Sequence, residues 1–136
     1  MISTETKLRV RYSETDQMGY VYYGNYAAFY EVARAEMMRE LGISYKEMEA
    51  KGCFMPIVDM SVRYLKSARY DDILRIKTTL LKIPGTRISF KYEIYNDETG
   101  QLLNVGETTL VFINSTTHRP MRAPEWFLEL INAKLK

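Results

Sequence analysis

Residues 26–41 repeat their apolar positions every three or four residues. Tyr26, Phe29, Tyr30, Ala33, Met37 and Leu41 share one side, and Glu31, Arg34, Arg39 and Glu40 fill the others. That period predicts an amphipathic helix of about 16 residues. Asn25 stands where an N-cap belongs, and Gly42 where a left-handed residue ends the helix. Elsewhere the period is two. In residues 4–12, Leu8, Val10 and Tyr12 oppose Lys7, Arg9 and Arg11. From 54 to 64, Phe54, Pro56, Val58, Met60, Val62 and Tyr64 oppose Asp59, Ser61 and Arg63. Residues 72–83, 86–95 and 101–113 give three more strands. Pro84-Gly85 and the 96–100 run NDETG mark turns between them, and residues 43–52 read as a short helical or irregular crossover. After Pro120 and Pro124, the residues Trp126, Phe127, Leu130 and Ile131 form the apolar side of a terminal helix.

The order is a strand, a long helix, four strands joined mainly by tight turns, and a last helix. This is an α+β chain with a curved antiparallel sheet of about five strands. The long helix covers one sheet face. The other face calls for the terminal helix or a partner subunit. An open sheet edge favours a homodimer by sheet extension.

The totals narrow the classes. At 136 residues the chain reads as one domain, 1–136, able to bury a core without disulfides. Hydrophobic residues are 46% and charged residues 26%, as in ordinary globular proteins. A net charge of +2 gives no electrostatic case for nucleic acid. No run approaches the ~18 apolar residues a membrane span needs, and the N-terminus has no signal-peptide pattern. One cysteine, Cys53, allows no internal disulfide, which points to a reducing compartment and a cytoplasmic location. Cys53 and the only histidine, His118, lie in separate segments, so neither a zinc site nor a Cys–His nucleophile is expected. Arg63, Lys66, Arg69 and Arg75 form a modest basic cluster. It suits either a phosphorylated small molecule or a solvated sheet face.

The chemistry gathers between the first strand and the helix, where residues 13–24 carry Asp16, Gly19 and the aromatic run Tyr20–Tyr23. Asp is a common turn residue. A carboxylate beside a helix start is also an acyl-transfer arrangement: it attacks or activates water while free N–H groups receive the oxyanion. No histidine in this motif supplies a proton to an amine leaving group. A thioester needs none, because a thiol with pKa near 8.5 departs as thiolate.

These residues resemble a known family. Thr15, Asp16, Gly19, Val21 and Tyr26 match its first signature, and Phe29, Glu31, Ala33 and Arg34 its helix continuation. Ser61 to Asp72 (SVRYLKSARYDD) is similar to its second block. The pattern resembles the hotdog-fold acyl-CoA thioesterases of the 4-hydroxybenzoyl-CoA type, including those of the Tol–Pal gene-cluster type. The resemblance covers nearly the whole chain. It implies a hotdog fold, dimers with active sites at the interface, frequent pairing into tetramers, and no cofactor beyond the coenzyme A of the substrate. Asp16 matches the catalytic aspartate, as nucleophile or general base. The backbone N–H of Tyr23, or of a neighbour at the helix start, would polarise the carbonyl. The Tol–Pal type has a histidine where this chain has Tyr23, so the resemblance does not fix the short-chain aliphatic preference of that subgroup, and aromatic, short-chain and medium-chain thioesters all fit.

Candidate substrate contacts follow. Tyr26, with Tyr20, Tyr22, Tyr23, Phe29 and Tyr30, would shape an acyl slot or fill core and dimer contacts. Glu31 would face the acyl group or pair with Arg34, in its own protomer or across the dimer. Asp59 would line an interface cleft. Arg63, Lys66, Arg69 and Arg87 are the pool for the CoA phosphates. A non-catalytic acyl-CoA or fatty-ligand binding module is the alternative. A hotdog dehydratase would need a histidine at the site, and His118 lies past the last strand.

Overall fold

The computed structural model of the chain describes residues 1–135. Strand β1 is Ile2–Arg9, and helix α1 is Tyr26–Leu41. A short helix α2, Tyr45–Ala50, precedes β2 (Cys53–Phe54) and β3 (Ile57–Tyr64). Then follow β4 (Ile73–Leu80), β5 (Arg87–Asn96), β6 (Leu102–Asn114), β7 (Pro120–Met121) and α3 (Glu125–Leu135). Every pairing is antiparallel. Four long strands run β1-β4-β5-β6, and β3 continues the sheet on the far side of β6. The two-residue strands β2 and β7 flank the end of β6, which raises the expected five strands to seven.

Helix α1 forms where its period predicted. Tyr26, Phe29, Tyr30, Ala33, Met37, Met38 and Leu41 are buried, and removing that apolar surface from water drives the helix onto the sheet. Gly42, at φ 112°, closes it by donating to the carbonyls of Met38 and Arg39. Ser44 and Glu47 form a reciprocal capping box at the start of α2. Below α1, the inner sheet face presents Leu74, Ile76 and Leu80 from β4, Ile88, Phe90, Tyr92 and Ile94 from β5, and Leu110 and Phe112 from β6. This is the architecture the resemblance implied.

Three expectations need correction. The first strand ends at Arg9, and Tyr12 lies exposed in a 3₁₀ turn, Tyr12–Glu14, rather than facing inward. The inward side of β1 is Ile2, Thr4, Thr6 and Leu8. The terminal helix does not cover the second sheet face. Phe127 of α3 is buried against Phe112 at 5.9 Å, on the same side as α1. The second face is left to charged groups such as Glu5, Arg75 and Asp97, which pair across strands at 2.8 and 3.4 Å. Finally, of the alternating apolar residues of β3 only Val62 packs against the core. Ile57, Val58, Met60 and Tyr64 are exposed, because α1 packs over β1 and β4 and leaves most of β3 uncovered.

Candidate active site

The chain leaves β1 through a loop fastened at both ends. Val10 donates to the Asp72 carbonyl at 2.9 Å and accepts from the Asp71 N–H at 3.0 Å. Val21 donates to the Ala68 carbonyl at 2.8 Å, and Tyr22 to the Glu14 carbonyl at 2.9 Å. Between these anchors, Asp16 N–H donates to the Tyr20 carbonyl at 2.8 Å and Gly19 N–H to the Asp16 carbonyl at 3.0 Å. The turn needs a left-handed residue, and Gly19 supplies it at φ 80°. Asp16 Oδ1 accepts from the N–H groups of Met18 at 2.9 Å and Tyr20 at 3.2 Å. Its other oxygen, Oδ2, has no hydrogen-bond partner among the described residues. One oxygen holds the loop; the other is free for chemistry.

The helix start differs from expectation. Asn25 does not cap α1 with its side chain; its Nδ2 donates instead to the Glu14 carbonyl at 2.8 Å. A 3₁₀ turn, Tyr23–Asn25, runs straight into α1. The first orphan donors are therefore the N–H groups of Tyr23 and Gly24, with no acceptor among the described residues. Beside them a cavity of about 220 Å³ is lined by Asp16, Tyr20, Val21, Tyr23, Tyr26, Tyr64, Leu65, Lys66 and Ser67. Tyr26 meets Tyr64 edge-on at 5.4 Å, and burial raises the Tyr26 hydroxyl pKa above the ordinary tyrosine value. The cavity thus joins a carboxylate, a helix start, aromatic walls and one ammonium.

Of the other sequence candidates, Arg69 stands next to this group, its guanidinium 4.7 Å from the centre of the Tyr20 ring. The rest lie elsewhere in the protomer. Asp59 and Arg63 sit opposite Thr109 and Val105, on the outer sheet face. Arg63 lines a separate depression with Lys91 and Glu107. Arg87, opposite Val111, is exposed on the same outer face. Glu31 lines a third depression, near Arg34 and Tyr45. The expected Glu31–Arg34 ion pair does not form. Arg34 is 4% exposed and donates from Nε to the Tyr45 hydroxyl at 2.7 Å and from Nη1 to the Tyr92 hydroxyl at 3.0 Å. Tyr64, Leu65 and Ser67 are cavity walls that sequence reasoning passed over. They lie in the 61–72 block, whose cations Arg63, Lys66 and Arg69 are the sequence candidates.

Among the described residues, no three His, Cys, Asp or Glu side chains cluster to hold a metal ion. No described helix is long and apolar enough to cross a membrane.

Comparison with known proteins bears on this geometry. YbgC of Escherichia coli, an acyl-CoA thioester hydrolase, is 36% identical over 118 residues, 87% of each chain. YneP of Bacillus subtilis is 31% identical over 135 residues, 96% of this chain and 97% of its own. The crystal structure of DHNA-CoA thioesterase from Staphylococcus aureus superposes with a TM-score of 0.87 at 38% identity, covering 100% of this chain and 97% of that one. The family model of the thioesterase-like superfamily matches residues 10–131, a span that contains the Asp16 loop, α1 and the long strands β3 to β6. On that match, and on relatives alike over most of their length, the chain belongs to the thioesterase-like superfamily.

Proposed function

We propose that this protein is an acyl-CoA thioesterase that works at the Asp16 cavity. The observation that carries the reading is the Oδ2 of Asp16, free among the described residues, sharing a cavity with a helix start whose first N–H groups have no acceptor among them. The thioester carbonyl oxygen accepts from the N–H of Tyr23, and Gly24 is the neighbouring donor. One such donor is typically worth about 2.7–4 kcal/mol in the transition state. Asp16 either takes a proton from the attacking water or attacks first and forms a mixed anhydride that water opens. On both routes a carbon–oxygen bond forms and the carbon–sulfur bond breaks. The electron pair leaves on the CoA sulfur, which departs as thiolate.

The tyrosines of the cavity, Tyr26 among them, suit a flat acyl group, and DHNA-CoA is the substrate named for the Staphylococcus aureus neighbour. Lys66 and Arg69 are placed to meet the CoA phosphates near the surface. Arg63 and Arg87 remain members of that pool only if the nucleotide crosses to the outer sheet face. The exposed apolar edge of β3 supports a homodimer by sheet extension, and the resemblance extends this to a homotetramer. In such an assembly Glu31 and Asp59 of a second protomer would complete the cleft. The single buried cysteine accords with the cytoplasm.

The deciding experiment is thiol release from a panel of acyl-CoAs, followed with a thiol-reactive dye, for the parent and Asp16→Asn. Asp16-dependent release supports the thioesterase. Tight binding without release in the parent replaces it with the ligand-binding module.

A further inference from the structure

Asn104, on β6, is fully buried. Its Oδ1 accepts the hydroxyl of Tyr30, while its Nδ2 has no partner among the described residues. A buried amide donor left unpaired costs stability, and such a group asks for an explanation.

Its position supplies one. Asn104 is the register partner of Tyr64 on β3, so the two side chains are neighbours on the inner sheet face. Tyr64 is a wall of the Asp16 cavity. The adjacent carbonyl, that of Leu103, accepts the N–H groups of Leu65 at 2.9 Å and Lys66 at 3.0 Å. The cavity wall is therefore anchored on the strand beside Asn104. On its other side the amide is held. The Tyr30 ring stacks on Tyr92 at 4.3 Å. It also lies so close over Gly106 that a Cβ there would meet it at 2.6 Å. A ring fixed from both sides fixes the hydroxyl that occupies Oδ1, and amide planarity then fixes Nδ2. On the β3 side its neighbour is the partly exposed cavity wall. Tyr64 is 52% exposed, and one long hydrogen bond, 3.3 Å to the Tyr23 carbonyl, tethers its hydroxyl.

We propose that Asn104 is a specificity-determining residue whose Nδ2 donates to a hydrogen-bond acceptor on the acyl group, remote from the thioester. This rests on the thioesterase reading above. When the Tyr64 ring turns about its long axis, its hydroxyl staying on the Tyr23 carbonyl, an acyl group bearing a hydroxyl or oxo oxygen reaches Nδ2. A plain hydrocarbon of the same shape leaves the donor unpaired. A site with an unmet polar group discriminates against the analogue that lacks the partner.

The test compares kcat/KM for benzoyl-CoA and the three hydroxybenzoyl-CoA isomers, in the parent and in Asn104→Leu. The expected result is a preference of about tenfold or more for one hydroxylated isomer in the parent. In Asn104→Leu that ratio falls to near one, whatever the loss in absolute rate. A merely structural role would lower all four rates alike and leave the ratio standing, which overturns the proposal. Equal rates on all four esters in the parent overturn it without any variant, and Asn104→Ala, which also removes the donor, reads the same ratio where Asn104→Leu does not fold. Thiol release from none of the four, nor from the wider acyl-CoA panel, overturns the thioesterase reading and this inference together.

Discussion

The Tyr64 hydroxyl donates to the Tyr23 carbonyl at 3.3 Å. This bond ties an edge strand to the first turn that leads into α1, across a sequence separation of 41 residues. Tyr23 is the residue whose N–H is proposed to hold the oxyanion, so the edge strand helps to aim that donor. Tyr64→Phe keeps the ring against Tyr26 and deletes the tether. The bond is exposed, so it contributes little to stability, about 0.5–1.5 kcal/mol at most. The expected outcome is a severalfold drop in kcat with a small change in Tm. An unchanged kcat would show that the helix start is held without Tyr64.

Asp16 has two separable jobs, and two substitutions divide them. Asp16→Asn keeps an oxygen to accept from Met18 and Tyr20, so the loop should survive with a near-parental Tm. It removes the free carboxylate oxygen, and kcat should fall by at least a hundredfold. Asp16→Ala removes both and should cost about 1 kcal/mol of stability in addition. Thermal melts beside kcat for both variants check this. Parental turnover in Asp16→Asn would end the assignment.

Lys66 and Arg69 are exposed cations at the cavity. If they meet the phosphates of CoA, Lys66→Gln with Arg69→Gln should raise KM severalfold and leave kcat nearly intact. The effect should shrink as salt rises, since exposed pairs are screened. The control is an acyl-pantetheine thioester, which lacks the nucleotide. Its KM should not move. An equal rise for both substrates would place the two residues in the packing of the loop.

How much of this was legible in the sequence depended on the range of the interaction. Helix α1 came out with its observed ends because burial period, spacing and Gly42 are all local signals. The Asp16 turn was legible for the same reason. What failed was decided by distant residues. Glu31 and Arg34 have ideal helical spacing for a pair, but Tyr45 and Tyr92, 11 and 58 residues away, take the guanidinium. Alternation in β3 matched a half-buried strand, yet among the described residues α1 reaches only its end, where Tyr26 meets Tyr64, and Val58 and Met60 stay exposed. That same alternation already set Asp59 and Arg63 on the face away from Met60 and Tyr64, so their separation from the Asp16 cavity was legible. The walls Tyr64, Leu65 and Ser67 become visible only once Leu103 captures the chain after β3.

The exposed edge of β3 leads to a prediction about assembly. Val58 is 50% and Met60 43% exposed, on a strand with unpaired backbone along one side. Such an edge invites pairing with a second copy. A charge placed there opposes it. Met60→Glu should shift the protein from dimer or larger to monomer, as read by light scattering coupled to gel filtration. If the site is completed by a second protomer, activity should fall with the assembly and recover at high protein concentration. A parental mass for Met60→Glu would place the interface elsewhere.

Tyr45 offers a pH test of the buried network. Burial is the main cause that pushes its hydroxyl up to about 12, although the guanidinium of Arg34 pulls the other way. An unfolded chain releases this proton near pH 10, the folded one near 12. Between those values the folded state binds more protons, so stability falls as pH rises through the window and is unaffected below it. The slope from this one group is at most about 1.4 kcal/mol per pH unit. Tyr45→Phe removes the titration but also the acceptor of the Arg34 Nε–H. The variant should therefore be less stable than the parent at pH 8, by about 1–3 kcal/mol. It should lose less stability than the parent between pH 10 and 12, so the two urea-midpoint curves converge. Parallel curves across that range would mean that Tyr45 ionises as readily in the folded protein as in the unfolded chain, and that its bond to Arg34 is not buried in solution.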